Sequence, residues 1–248
     1  MNITYASEHK WLKSIGEEPL STFGKNNRAR LRSALKNIEE TGIRHEIAEL
    51  TQDTLDWFTP LYNEKISAKD NPKLFDIHAT TIGKESKFTY YSLALFEDDT
   101  PIGATIFSER NKILSIAYRI FPSQWDKYYL QANPSLYTEY IINKHGADNG
   151  FTKLSHGRDR NPYGLNSHIG LAMFKLSVGC SAYLPTTEYQ TQTLDTEELT
   201  EDVLIFEHPE SDRKITKGVL VTTEENLPKY AQITKYPDQI DIETILRK

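Results

Sequence analysis

Between Phe88 and Tyr118 the chain leaves no room for a crossover. Phe88–Phe96 reads as a strand, Glu97–Pro101 as a turn, Ile102–Phe107 as a second strand and Ile113–Tyr118 as a third. Parallel neighbours need a connection of about a dozen residues or more, and each gap here is a short turn, so the three strands form an antiparallel meander.

Helical patterns surround it. Residues 7–68 read as mainly helical: Asn27–Thr41 places Leu31, Ala34, Leu35 and Ile38 on one side with Gly42 as a stop, and Thr51–Lys69 does the same with Leu55, Phe58, Leu61, Tyr62 and Ile66. Ile43–Leu50 alternates like a strand. After Pro122–Ala132, Asn133 suits an N-cap and Pro134 a first helical residue. Leu136, Tyr140, Ile141 and His145 mark that helix's inward face, and Gly146 or Gly150 ends it. Phe151–His156 is then a short strand, followed by a loop over Gly157–Ser167, a helix and a strand near Ala182–Gln190. From about Thr191 the composition shifts: Thr193–Asp202 is acidic and reads as solvated, with strands at Val203–Phe206 and Gly218–Thr222. The class is α+β, with a mixed, mostly antiparallel sheet flanked by helices. The expected segments are a helical N-terminal part (1–86), a main domain (87–190) and a small C-terminal β extension (191–248).

One charge interrupts the apolar run Ile169–Leu184, and it is Lys175. On a helix over Ser167–Val178, Leu171, Phe174, Lys175 and Val178 share the face that packs on the core. Its ammonium must therefore snorkel, find a partner or point into a site, because burial without a partner is costly.

The net charge of −6 argues against bulk binding to nucleic acid or an anionic membrane, and no DNA partner is expected. A local basic stripe is present nonetheless, Arg28, Arg32 and Lys36 recurring every four residues. No apolar stretch reaches the ~20 residues of a membrane span. Met1–Lys10 has no basic start before an apolar segment, and the only cysteine is Cys180; both fit the cytoplasm. The histidines lack metal-ligand spacing, so no metal is expected. Neither a Gly-Lys-Ser/Thr phosphate loop nor a Gly-x-Ser-x-Gly elbow occurs.

Taken together, Leu93–Phe107, the aromatic strand Ala117-Tyr118-Arg119, the Pro134-started helix, Gly157-Arg158 and above all Gly170-Leu171-Ala-Met-Phe174-Lys175-Leu-Ser177-Val-Gly179 resemble the Gcn5-related N-acetyltransferase (GNAT) fold. The likeness runs to its FemAB-like branch, BioF2-like acyltransferases included, and covers residues 25–190. It implies an N-acyltransferase that moves an acyl group from an acyl-CoA or acyl carrier protein thioester to a small-molecule or peptide amine, with no tightly bound cofactor. The carbonyl would sit at a gap between the Ile113–Tyr118 and Lys153–His156 strands. The resemblance makes Lys175 an oxyanion stabiliser, and His156 ends a strand where an imidazole can take a proton from an attacking amine. Asp159 and Glu139 are weaker proton acceptors. Tyr118, at the splay point, completes the catalytic set. Arg158, Tyr163, Phe174 and Glu139 are assigned to substrate, and Gln131, Asn133, Arg28 and Arg32 to the donor's phosphates.

Two departures open alternatives. Tyr129-Leu-Gln-Ala-Asn-Pro134 stands where acetyl-CoA users carry a glycine-rich pyrophosphate loop, and His156 stands where the branch often has Asp. The donor is then an aminoacyl-tRNA, as in FemAB-like ligases, or the fold serves as a non-catalytic binding or assembly module.

Overall fold

The short-linked runs form the expected meander, and a fourth strand joins it. In the computed structural model, which describes residues 1–38, 42–68, 74–83, 88–121, 134–236 and 238–247, the elements begin with β1 (Asn2–Ala6), β2 (Glu8–Ser14), α1 (Lys25–Ile38), β3 (Ile43–Glu49), α2 (Gln52–Ser67) and α3 (Ile77–Thr81). They continue with β4 (Tyr90–Glu97), β5 (Thr100–Arg110), β6 (Ile113–Ile120), α4 (Pro134–Asp148), β7 (Lys153–Arg160), α5 (Ile169–Ser177), β8 (Ser181–Tyr183) and β9 (Thr191–Asp195). Last come β10 (Val203–Phe206), β11 (Lys214–Ile215), β12 (Lys217–Thr223), α6 (Leu227–Tyr230) and β13 (Asp241–Arg247). The chain divides into a middle unit, 15–154, and a terminal unit, 1–14 with 155–248; the second boundary falls inside β7.

In the middle unit β3, β4, β5 and β6 pair antiparallel in sequence order. Ser92–Leu95 are buried without a break, so both faces of β4 are covered. Leu93 and Leu95 point into a cluster with Tyr137, Ile141 and Ile142 of α4. Ala94 points the other way, into one with Leu55, Phe58 and Tyr62 of α2 and Ile77 of α3. The Thr51 hydroxyl accepts from the Thr54 amide and caps α2.

Two places break the regular ladder. On β6, Ile106 faces Tyr118 but Phe107 faces Ile116, so Ala117 is an extra residue, a one-residue bulge. On β5 a register shift precedes Gly103, whose φ is +151° and where a Cβ would lie 2.4 Å from the Phe121 ring and 2.5 Å from the Ile120 carbonyl.

In the terminal unit β1 pairs with β9, β12 lies between β10 and β13, and β8 lies between β11 and β2. Ile3, Tyr5, Val203, Ile205, Val219 and Val221 form its apolar cluster. The segment expected to be helical from residue 7 therefore begins with two strands. The alternation is there, but the buried face of β2 carries His9, Trp11 and Lys13, two of them polar, so the strand carries no apolar period. The Thr193–Asp202 segment also departs from expectation: it supplies the end of β9, and only half of its residues are exposed. The β7 strand runs four residues beyond His156, through Arg160.

Gly103→Ala is expected to lower unfolding free energy by about 1–3 kcal/mol, from overpacking against Phe121. A denaturant midpoint unchanged from the parent would contradict the tight approach.

Candidate active site

Lys175 finds a partner. It sits in the last turn of α5 at 5% exposure, and its Nζ donates to Asp159 Oδ1 and Oδ2, each at 2.8 Å, and to the His156 carbonyl at 3.1 Å. Those three acceptors match the three hydrogens of an ammonium. The Asp159 carboxylate is equally committed: Oδ2 also accepts from Trp11 Nε1 at 2.8 Å and from the Tyr163 hydroxyl at 2.7 Å. Trp11 Nε1 lies 2.9 Å from the same hydroxyl. Four donor contacts on one carboxylate are what a buried charge needs.

The network fixes a tautomer. The Tyr163 proton goes to Asp159, so His9 Nε2, 2.7 Å from the Tyr163 oxygen, must be the donor in that contact. His9 Nδ1 is then a bare lone pair, buried and without a hydrogen-bond partner among the described residues. Burial lowers the His9 pKa to about 3, with Asp159 opposing that shift and Lys175 adding to it. Burial, and after it the Asp159 carboxylate, raises the Tyr163 phenol well above its usual range. Lys13, on the same face of β2, donates from Nζ to the Val178 carbonyl at 2.7 Å. It thereby occupies the cation position at the C-terminus of α5.

The middle unit carries a second polar cluster beside the Ala117 bulge. Arg119 and Thr105 are cross-strand partners. Arg119 Nε donates to Thr105 Oγ1 at 3.0 Å and Nη2 to Glu139 Oε2 at 2.9 Å. Glu139 is fully buried in α4. One turn on, Asn143 Nδ2 donates to the Glu139 carbonyl at 2.7 Å, and Asn143 Oδ1 has no partner among the described residues.

The sequence-derived candidates divide accordingly. Lys175 and Tyr163 meet in one network, which His156 joins through its backbone carbonyl. Asp159, weighed as a proton acceptor, is the network's anion. Phe174 is half-buried on α5, whereas Leu171, expected on the same packed face, is 39% exposed. The helix begins at Ile169, and its fully covered residues are Ile169, Ala172, Lys175 and Leu176, a stripe rotated away from Leu171. Arg158 is exposed, 3.6 Å from Glu8. In the middle unit the Tyr118 hydroxyl lies 2.9 Å from that of Thr80, its ring edge-on to Tyr62. Glu139, assigned to substrate, is covered and engaged by Arg119. Arg28 is half-buried and Arg32 exposed on α1. Gln131 and Asn133 lie outside the described residues. Sequence reasoning missed Trp11, His9 and Arg119; the period-two placement of His9, Trp11 and Lys13 was the available signal for the first two.

No family model matches the sequence, and neither does any curated protein. Solved structures do. FemX aligns at a TM-score of 0.51 and 14% identity, over 70% of this chain and 59% of its own. L-PGS from Bacillus licheniformis gives 0.48 and 16%, over 75% and 63%. A GCN5-related N-acetyltransferase from Kribbella flavida gives 0.32 and 12%, over 77% and 37%. The chain thus spans less than two thirds of each. The FemX alignment shows a shared fold.

His9 supplies a pH test. Its folded pKa lies below the ordinary 6.5, so its contribution to stability is complete above that pH and is lost as pH falls from 6.5 towards 3. His9→Gln, which keeps a donor for Tyr163, is expected to flatten the dependence of unfolding free energy on pH between about 6.5 and 4.5. An unchanged slope would show that His9 is not held neutral.

Proposed function

We propose that this chain is a transferase that moves an acyl or aminoacyl group from an activated carbonyl to an amine. The observation that carries the reading is the bulge at Ala117, on the central meander of a fold shared with FemX. A bulge residue stands outside the ladder. In this reading its backbone N–H, held rigid by β5 and β6, donates to the carbonyl oxygen as negative charge develops there.

The amine lone pair forms the new C–N bond and the carbonyl π pair moves onto oxygen. As the oxyanion collapses, the bond to the leaving sulfur or oxygen breaks and takes its electron pair. The ammonium proton passes to water and then to the leaving group. Attack is direct, with no covalent enzyme intermediate.

Lys175 enters differently from the sequence expectation. Its three hydrogens are already committed to Asp159 and the His156 carbonyl, so it ties β7 to α5 and does not meet the oxyanion.

The test offers the purified chain labelled acyl-CoA, acyl carrier protein and aminoacyl-tRNA with a panel of amines. Alkali-stable, amide-linked label from at least one donor is expected. A folded protein that transfers from no donor would contradict the reading and favour a binding module.

A further inference from the structure

The three-stranded sheet of the terminal unit has two edges, and among the described residues only one is closed. On the outer side of β10, Leu204 exchanges both backbone bonds with Tyr163, at 2.9 and 3.0 Å, and the Phe206 amide donates to Asn161 Oδ1 at 3.1 Å. At the other edge β13 pairs with β12 alone. The Asp241 amide donates to the Thr216 carbonyl at 2.8 Å. Asp241 and the odd-numbered residues after it therefore turn their backbone groups to β12, and the even-numbered ones turn theirs away. Ile242, Thr244 and Leu246 each direct an N–H and a C=O outward, and none of these groups meets a backbone partner among the described residues.

The strand lacks the usual protection. Edges of natural sheets are blunted by proline, lysine or a bulge, or are covered. Asp241–Arg247 contains neither proline nor lysine, and its register with β12 runs without a break. Leu246 is 50% exposed, although Thr222, its partner on β12, is fully buried.

We infer that β13 pairs with the β13 of a second copy of this chain, antiparallel about a two-fold axis at Thr244. The run Asp241-Ile-Glu-Thr-Ile-Leu-Arg247 is complementary to its own reverse. On one face Asp241 falls opposite the partner's Arg247, a favourable cross-strand pair. Among the described residues Arg247 bonds only to Asp202, through Nη2 at 2.9 Å, so its guanidinium has donors left for a second carboxylate. On the other face the exposed Leu246 falls opposite the partner's Ile242 and is covered by it. All the outward backbone groups of both strands then pair, in six hydrogen bonds. Neighbouring registers do worse. A shift of two residues one way sets Glu243 against the partner's Glu243, a like-charge pair. The same shift the other way leaves Asp241 without a cation and Ile242 outside the paired run. A strand from an unrelated protein would not account for a sequence that matches its own reverse. The pairing uses up the open edge, so assembly stops at the dimer. A strand of this length buries less than the ~800 Å² per partner of a standard interface, so association is weak and depends on concentration.

The experiment is sedimentation velocity on the full chain over about 5–500 µM, a range that suits a weak interface. A reversible monomer–dimer equilibrium is expected, with nothing larger. Thr244→Pro removes an outward N–H, a place where an edge strand accepts proline, so the circular dichroism spectrum should be unchanged while association weakens by about tenfold or more. Asp241→Lys sets like charges opposite each other and should weaken association by about threefold or more. A cysteine scan reads the register. Thr244→Cys should form a disulfide-linked dimer under mild oxidation, since directly opposed residues stand about 5.5 Å apart at Cα. Glu243→Cys, whose copies lie diagonal to each other, should not, and the native Cys180 is buried. A chain that stays monomeric throughout, a dimer that Thr244→Pro leaves intact, or linkage of Glu243→Cys in preference to Thr244→Cys would each overturn the inference. Association is read without turnover, so none of these results bears on the transferase reading.

Discussion

A lysine and an aspartate taken out of water together are the costliest feature of the terminal unit, and much of its polar interior is arranged around them. Stripping solvent from each ion costs several kcal/mol, and mutual attraction repays that only when the remaining hydrogen-bond capacity is filled. Here it is filled. The Lys175 ammonium has three acceptors, and the Asp159 carboxylate is met by Lys175, Trp11 and Tyr163. Each partner is itself constrained: Trp11 and Tyr163 are fully buried, and Tyr163 takes its own hydrogen bond from His9. Residues 9, 11, 159, 163 and 175 are thereby fixed to one another, so β2, β7 and α5 cannot shift without opening a charge.

The middle unit solves the same problem on a smaller scale. Glu139, fully buried in α4, is answered by Arg119, and Arg119 by Thr105 on the neighbouring strand. This cluster stands next to the one place where β6 departs from regular pairing, at Ala117. A bulge costs ladder pairing and is retained where a strand must redirect its groups, which is why the transferase proposal is built on it.

The parts of this architecture that depend on local pattern were legible in the sequence. The meander, the helix beginning at Pro134, the strands at Val203–Phe206 and Gly218–Thr222, and the helix carrying Lys175 all follow from periodicity and turn chemistry. Their order gave the resemblance to the fold that FemX shares. What escaped was what depends on contact between distant residues. A strand whose buried positions are His9, Trp11 and Lys13 carries no apolar signal, because its inward face is satisfied by hydrogen bonds to residues some 150 positions away. Asp159 was legible as a weaker candidate proton acceptor between Arg158 and Arg160. Nothing local distinguishes it as the partner of Lys175; that follows from where β7 and α5 meet. The bulge at Ala117 has no signature either, since alanine is not a residue that bulges require.

The central claim is that Lys175 and Asp159 act as one unit that holds this site, and a double-mutant cycle on folding stability tests it most directly. The single changes Lys175→Met and Asp159→Asn each strand a buried charge, and each should cost about 3–5 kcal/mol. The account predicts that the double variant costs much less than their sum, a coupling of about 2 kcal/mol or more. Additive costs would mean that the two side chains do not depend on each other, and the account would fail.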